Sequence, residues 1–217
     1  MRSIRHWTPR YLVDRSTVLL YQAAFPHHPW LTRSAITFLD LWLQPGDNGF
    51  EFGSGRSTIW FAARGIKLVS VEHNAEWHER VTTILAKRDL NGLATALLRT
   101  DGVPEVASSS YVATLNSVPE ESLDFCLIDG VTRDHCARNA LLRIKPGGII
   151  IVDNANWYLP RHLPSRAPGS RKYIDGYASA IWEDFGNQVA NWRCLWSTNG
   201  EWDTAIWVKP SRQAGRL

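Results

Sequence analysis

Asn48-Gly49-Phe50-Glu51-Phe52-Gly53-Ser54-Gly55-Arg56-Ser57-Thr58, followed by Val69-Ser70-Val71-Glu72, decides how this chain folds. Phe50 and Phe52 are apolar strand residues, and Gly53 and Gly55 let the backbone turn tightly against a ligand. Ser57 to Ala63 reads as a helix closed by Gly65, and Lys67 to Val71 as a second strand ending in Glu72. In a strand, glycine loop, helix, strand unit, an acid at that strand end lies beside the first strand. Its carboxylate can there accept hydrogen bonds from both ribose hydroxyls, so the stretch predicts a nucleoside-binding crevice.

Two details bear on which nucleoside. A nicotinamide dinucleotide site wants a third glycine where this chain has Thr58, and its loop approaches a doubly negative pyrophosphate. Glu51, two residues before the first glycine, would repel phosphate and attract an ammonium or sulfonium. Glu51-Phe52-Gly53-Ser54-Gly55 with Glu72 downstream resembles the first two motifs of class I S-adenosylmethionine-dependent methyltransferases. That resemblance implies S-adenosyl-L-methionine as cofactor. It would set Gly53, Ser54 and Gly55 against the methionine portion, Glu72 at the ribose and Asp101 near the adenine amino group. Glu51, Ser57, Thr58, His73 and Asp129 complete the expected cofactor set.

Composition narrows the class. The chain has 217 residues, enough for one α/β domain with an extension, and its 44% hydrophobic and 21% charged residues are ordinary globular values. A net charge of +3 without a long Lys/Arg run argues against a nucleic-acid partner. Cys126, Cys136 and Cys194 are odd in number and far apart, which fits neither a disulfide framework nor a zinc site and makes a reducing cytoplasm the expected setting. Residues 1–9 lack the apolar core of a signal peptide, and no stretch reaches the ~20 apolar residues of a membrane span. Eleven tryptophans are more than a core needs, and several flank prolines where they could line a pocket.

Two helices are expected before the first strand, one from Pro9 to about Tyr21 carrying Leu12, Val13, Leu19 and Leu20, and one capped by Thr32 and running to Gln44. They form a predicted helical cap, residues 1–45, over a domain at 46–210, with a tail at 211–217. Asn74 caps a helix with Trp77, Val81, Ile84 and Leu85 on one face, and Ala94 to Leu98 is a third strand. Asp124 to Asp129 is a buried parallel strand. A helix from Thr132 stops at Lys145-Pro146-Gly147-Gly148, and Ile149 to Val152 delivers Asp153-Asn154 to the same sheet edge. The proline-punctuated segment from Asn156 to Ser170 is a loop, a candidate lid. A helix near Asp175 to Asn187 and a hairpin around Asn199-Gly200 follow. The alternation predicts a doubly wound α/β sheet, with ligands outside the carboxyl ends of its strands. The methyltransferase resemblance makes it a seven-stranded, mostly parallel, Rossmann-like sheet with an antiparallel C-terminal hairpin.

Asp129, Asp153 and Asn154 form the sharpest chemical cluster, because neighbouring strand ends would bring three oxygen-bearing side chains together. Their pattern is similar to that of metal-dependent catechol-type O-methyltransferases, and implies a divalent cation, Mg²⁺ or another, held by Asp129, Asp153 and Asn154 to activate a hydroxyl. The lysine base of those enzymes is missing; Gly130-Val131-Thr132-Arg133 stands there. Without a metal, Asp129 and Asp153 are the leading candidate bases, ahead of His28, His135 and His162. Trp30, Asn154, Trp157 and Tyr158 are expected to wall the pocket for a small-molecule methyl acceptor, with flat rings that exclude water. The function expected from these features is methyl transfer from S-adenosylmethionine to a hydroxyl oxygen. An NAD-dependent oxidoreductase and a non-catalytic cofactor-binding domain of the same fold are the alternatives.

Overall fold

Strand residues alternate between two apolar faces, and that alternation organises the molecule. In the computed structural model, which describes residues 8–102, 108–163 and 165–211, the strands are β1 (Asn48–Phe52), β2 (Lys67–Glu72), β3 (Ala94–Leu98), β4 (Leu123–Ile128), β5 (Ile144–Asp153), β6 (Arg193–Thr198) and β7 (Asp203–Val208). Residues 1–7, nearly all of the 211–217 tail and Pro164 of the expected lid lie outside the described residues. The strands form one seven-stranded sheet in the order β3-β2-β1-β4-β5-β7-β6. The first five run parallel, β7 pairs antiparallel with β5, and β6 antiparallel with β7. This is the α/β methyltransferase-like architecture expected from the sequence.

The helices are α1 (Pro9–Ala24), α2 (Arg33–Trp42), α3 (Arg56–Ala62), α4 (Ala75–Lys87), α5 (Ser110–Ala113), α6 (Arg133–Arg143) and α7 (Ala180–Gln188). Phe125, Leu127, Ile149 and Ile151 face one side of the sheet and pack in a cluster with Leu39 of α2, Phe61 of α3 and Leu85 of α4. Their neighbours Cys126, Ile128, Ile150 and Val152 face the other, in a cluster with Tyr111 of α5, Ala140 of α6 and Phe185 of α7. Burial on both faces is why these strands read as unbroken apolar runs.

Several local expectations are corrected. Lys145-Pro146-Gly147-Gly148 does not separate helix from strand: α6 ends at Arg143 and β5 already starts at Ile144. The four residues make a bulge, seen as a jump in pairing from Leu123↔Ile144 to Phe125↔Ile149, with Gly147 at φ +83°. A bulge tolerates the missing N–H of Pro146. The helix expected from Asp175 begins later, at Ala180, capped by the Ser179 side chain, after a short 3₁₀ turn at Tyr173–Asp175 that ends in left-handed Gly176. Thr32 precedes α2 as expected, but its hydroxyl bonds Ser197 instead of capping the helix, and its N–H donates to Thr204 Oγ1 at 3.0 Å. Leu12, Val13, Leu19 and Leu20 of α1 are exposed and leave Val18 as its buried residue. Among the described residues, no helix is long and apolar enough to cross a membrane.

The strand order reverses direction between β1 and β4, and the crevice of such a sheet opens there, beyond the strand ends. The loop after β1 and Asp129 after β4 both lie at that point.

Candidate active site

Two cavities adjoin at this crevice. The first, about 460 Å³, is lined by Gly53 to Ser57, Glu72 to Asn74, Glu76, Trp77 and Arg80, and by Trp30 and Asp129 to Val131. The second, about 830 Å³, is lined by Tyr11, Arg15, Gln22, Trp30, Asp129, Asp153, Asn154, Trp157, Pro168, Gly169, Glu201 and Trp202. Trp30 and Asp129 line both.

The loop of the first cavity is built from short-range contacts. Gly53 adopts φ +95°, and a Cβ there would lie 2.8 Å from the backbone of Gly130, so only glycine allows the ends of β1 and β4 to approach so closely. Gly55 is extended instead, and an added Cβ would meet nothing nearer than Trp77 Nε1 at 3.6 Å. Its missing side chain serves the cavity more than the chain. Ser54 N–H donates to Glu72 Oε2 (2.9 Å), while His73 N–H and Asn74 N–H donate to Glu72 Oε1 (2.9 and 2.8 Å). His73 Nδ1 also lies 3.0 Å from Oε1. Three backbone amides therefore fix the carboxylate, and Oε2, with one donor, keeps a lone pair for the cavity. Trp77, which the sequence placed only on a helix face, donates its indole N–H to the Ser54 carbonyl and walls the site.

Glu51 sits elsewhere than the sequence suggested. It is fully buried beneath the loop and does not line the cavity. Hydroxyls of Ser57, Thr58 (2.6 Å) and Ser70 (2.8 Å) donate to it, and Thr58 Oγ1 also accepts from Gly55 N–H at 2.8 Å. Desolvation pushes its carboxyl up to about 7, against the opposing pull of those hydroxyls. Thr58 is buried with it, so the residue standing at the third-glycine position links the acid to the loop. Asp101 is likewise diverted. Its carboxylate accepts from Ser110 N–H (2.6 Å), Ser110 Oγ (2.8 Å) and Tyr111 N–H (3.2 Å) at the start of α5, and it lines neither cavity.

At the ends of β4 and β5 the side chains of Asp129 and Asn154 do converge, but on a guanidinium, and Asp153 joins them only through its backbone carbonyl. Arg133, the first residue of α6, donates from Nη2 to Asp129 Oδ1 (3.0 Å) and Asp129 O (2.8 Å). From Nη1 it donates to Asn154 Oδ1 (3.2 Å) and Asp153 O (2.6 Å), and from Nε to Gly130 O (2.8 Å). The Asp153 carboxyl turns away to accept from Thr204 Oγ1 at 2.7 Å. Among the described residues no cluster of three or more His, Cys, Asp or Glu side chains could hold a metal ion. The donor set thus does not fit the divalent cation implied by the resemblance, because a guanidinium already engages it. Burial raises the carboxyls of both Asp129 and Asp153, and Asp153 well above the carboxylate range; at Asp129 the charge and hydrogen bond of Arg133 oppose the rise.

The second cavity has the aromatic walls expected of Trp30 and Trp157, with Trp202 and Tyr11 in addition. Trp30 is 49% exposed, and the Arg56 guanidinium lies 5.1 Å from its ring centroid. Trp157 is anchored by its indole N–H to Pro168 O at 3.1 Å. Tyr158 is not part of this wall: it caps the 3₁₀ turn Ala155–Trp157, and its ring stacks on Trp182 at 5.2 Å against the core. Arg15 of α1 pairs with Glu201 of the β6–β7 loop at 3.3 Å across the cavity rim. Nothing in the sequence marked this pair, which is 186 residues apart.

Comparison with known proteins bears on what this geometry serves. The profile of the family described as a methyltransferase domain matches residues 50–155. An O-methyltransferase from Bacillus cereus in complex with SAH is 19% identical over 91% of this chain and 90% of that one, with a TM-score of 0.58. A Staphylococcus aureus protein assigned as a caffeoyl-CoA O-methyltransferase is 15% identical over 94% of each chain, also with a TM-score of 0.58. The [4+2]-cyclase SpnF is similar too, at 15% identity over 84% of this chain and 83% of that one and a TM-score of 0.50, so the fold alone does not fix the reaction. No curated protein matches the chain in sequence. Residues 50–155 match the methyltransferase-domain profile, and the described residues share the Rossmann-like fold of these O-methyltransferase structures.

Proposed function

We propose that this protein is an S-adenosylmethionine-dependent methyltransferase that modifies a hydroxyl oxygen of a small molecule. The observation that carries the reading is the pair of cavities that meet at Trp30 and Asp129. One has the glycine loop and a fixed acid suited to a nucleoside, and the other has aromatic walls suited to an apolar acceptor. S-adenosylmethionine, when bound, supplies a methyl group on a sulfonium.

The chain's own groups orient and desolvate the reactants, which for an in-line displacement supplies much of the acceleration. Glu72 Oε2 has room to accept one ribose hydroxyl, and the open face of Gly55 lets a ligand approach the loop. Glu51, Ser57 and Thr58 act from below by holding that loop. On the acceptor side, Asp129 is the carboxylate that borders both cavities. Its Oδ1 is taken by Arg133, so Oδ2 is the atom that receives the acceptor's proton. Asp153, whose carboxyl burial raises well above the usual carboxylate range, borders the acceptor cavity beside it. Trp30 and Trp157 exclude water from the junction.

Calorimetry with S-adenosylhomocysteine and with NAD⁺, paired with transfer of a radiolabelled methyl group from S-adenosylmethionine to a small-molecule extract, tests the reading. One S-adenosylhomocysteine per chain, no NAD⁺ and label in the extract are expected. Binding of NAD⁺ alone would replace the proposal with an oxidoreductase, and S-adenosylhomocysteine binding without any transfer would leave a cofactor-binding domain.

A further inference from the structure

We propose that Arg133 stands in the place of a catalytic cation, so that this protein works without a metal, and that its role is to hold Asp129 with one oxygen free at the junction of the two cavities. The second half rests on the proposed methyltransferase reading; the first does not.

Saturation of the guanidinium carries the argument. Its five N–H groups meet five oxygen acceptors: the carbonyls of Asp129, Gly130 and Asp153, Asn154 Oδ1 and Asp129 Oδ1. A Mg²⁺ or Ca²⁺ ion needs such oxygens at about 2.0–2.6 Å, and here each already faces a positive group. An ion could enter only by expelling the guanidinium, which is 13% exposed and has Tyr158 beside it, 5.9 Å to the ring centroid. The Asp153 carboxyl, a second negative ligand in a cation site, is committed to Thr204 instead.

The same contacts define what Arg133 does. It begins α6 and reaches back to the β4 turn and across to the end of β5, so it locks together the two strand ends that border the acceptor cavity. A planar fork makes such multiple contacts where an ammonium cannot. With every N–H engaged, it has none left for an acceptor, and it is a positioning residue. What it leaves available is Asp129 Oδ2, which has no hydrogen-bond partner among the described residues.

Three measurements test this. Purified protein with S-adenosylhomocysteine is titrated with Mn²⁺, and bound ion is read from loss of the free-ion paramagnetic resonance signal. Methyl transfer to a small-molecule extract is timed with EDTA and with Mg²⁺. Arg133→Met and Arg133→Lys are compared with the natural protein for kcat, KM for S-adenosylmethionine and S-adenosylhomocysteine affinity. The expected results are no stoichiometric Mn²⁺, rates within about twofold in EDTA and Mg²⁺, and a kcat at least about tenfold lower in Arg133→Met with donor affinity within about threefold, partly recovered in Arg133→Lys. One Mn²⁺ per chain that Asp153→Asn abolishes, or loss of transfer in EDTA, would overturn the proposal. So would an unchanged kcat in Arg133→Met. Should both variants fail to fold, Asn154→Ala, which removes one of the five acceptors, takes their place under the same criteria. Absence of S-adenosylhomocysteine binding would count against the donor assignment instead, and the Mn²⁺ titration would still read.

Discussion

The two ends of the crevice hold their acids by different chemistry. At the β1–β2 end, Glu51 is met by three hydroxyls and Glu72 by three backbone amides, all neutral donors. At the β4–β5 end, a single guanidinium engages Asp129, Asn154 and the Asp153 carbonyl. At Glu51 the hydroxyls oppose the desolvation without outweighing it, so its carboxyl climbs to about 7. A buried charge partner opposes that climb and, by filling its own donors, fixes where each oxygen points. The first arrangement builds a loop against one cavity, and the second engages Asp129 through Oδ1 at the junction of both.

The largest expected effect separates the glycines of the first end. Gly53→Ala combines a left-handed conformation, about 1 kcal/mol, with a 2.8 Å clash against the Gly130 backbone, of the order that costs about 1–3 kcal/mol in a packed core. Urea unfolding should show a loss of about 3 kcal/mol. Gly55→Ala should stay within about 1 kcal/mol of the natural protein while weakening S-adenosylhomocysteine binding. Equal stability losses would mean that both glycines serve the fold and that the open face of Gly55 is not a ligand surface.

Next in size is the pH dependence that Glu51 imposes. Its folded value of about 7 lies above the ordinary 4.5, so the folded state binds the proton more tightly than the unfolded chain. The associated stabilisation is complete below 4.5 and is lost as pH rises through about 7, a change of at most about 3 kcal/mol. Denaturation midpoints measured from pH 4.5 to 8 should fall accordingly, and Glu51→Gln should flatten this part of the curve. A slope that survives the substitution assigns the titration to another group and removes the contrast between neutral and charged partners.

Glu72→Gln is a smaller perturbation. The amide keeps an acceptor oxygen for some of the backbone N–H groups but gives up the charge-assisted bond to a ribose hydroxyl, so S-adenosylhomocysteine affinity should drop about tenfold in calorimetry. An unchanged affinity in a folded variant would remove Glu72 from the ribose. Smallest of all should be the effect of Trp157→Ala on the donor. Because Trp157 lines only the second cavity, donor affinity should stay within about twofold while KM for the acceptor rises. A parallel loss of donor binding would merge the two cavities into one site.

How much was legible before the structure follows from the same contrast. At the β1–β2 end most partners of each acid are close in sequence: Ser57 and Thr58 lie six and seven residues from Glu51, and His73 and Asn74 directly follow Glu72, while Ser70 and Ser54 come from the neighbouring motif 19 and 18 residues away. The motif could therefore be read, although burial of Glu51 could not, since residues in a strand reveal which face they share but not what covers it. Asp101 failed for a related reason: its nearest unsatisfied donors, at the start of α5, were not foreseen, because a four-residue helix leaves no periodic pattern. The pairing of Arg15 with Glu201 joins the two ends of the chain and has no local signature.

The sequence by itself determined the strand–helix alternation, the position of the glycine loop, and the arrival of Asp129 and Asp153-Asn154 at one sheet edge. These depend on hydrophobic period, turn residues and right-handed crossovers, which act over short stretches of chain. Only the tertiary structure decided what those groups meet there. The bulge at Pro146, the turn of Tyr158 onto Trp182, the burial of Glu51 and above all the engagement of five oxygens by Arg133 are choices among partners. An arginine has a long, flexible stem and can reach any of several acceptors. Which it takes is set by the packing of β4, β5 and α6 around it, information held in no single segment of the chain.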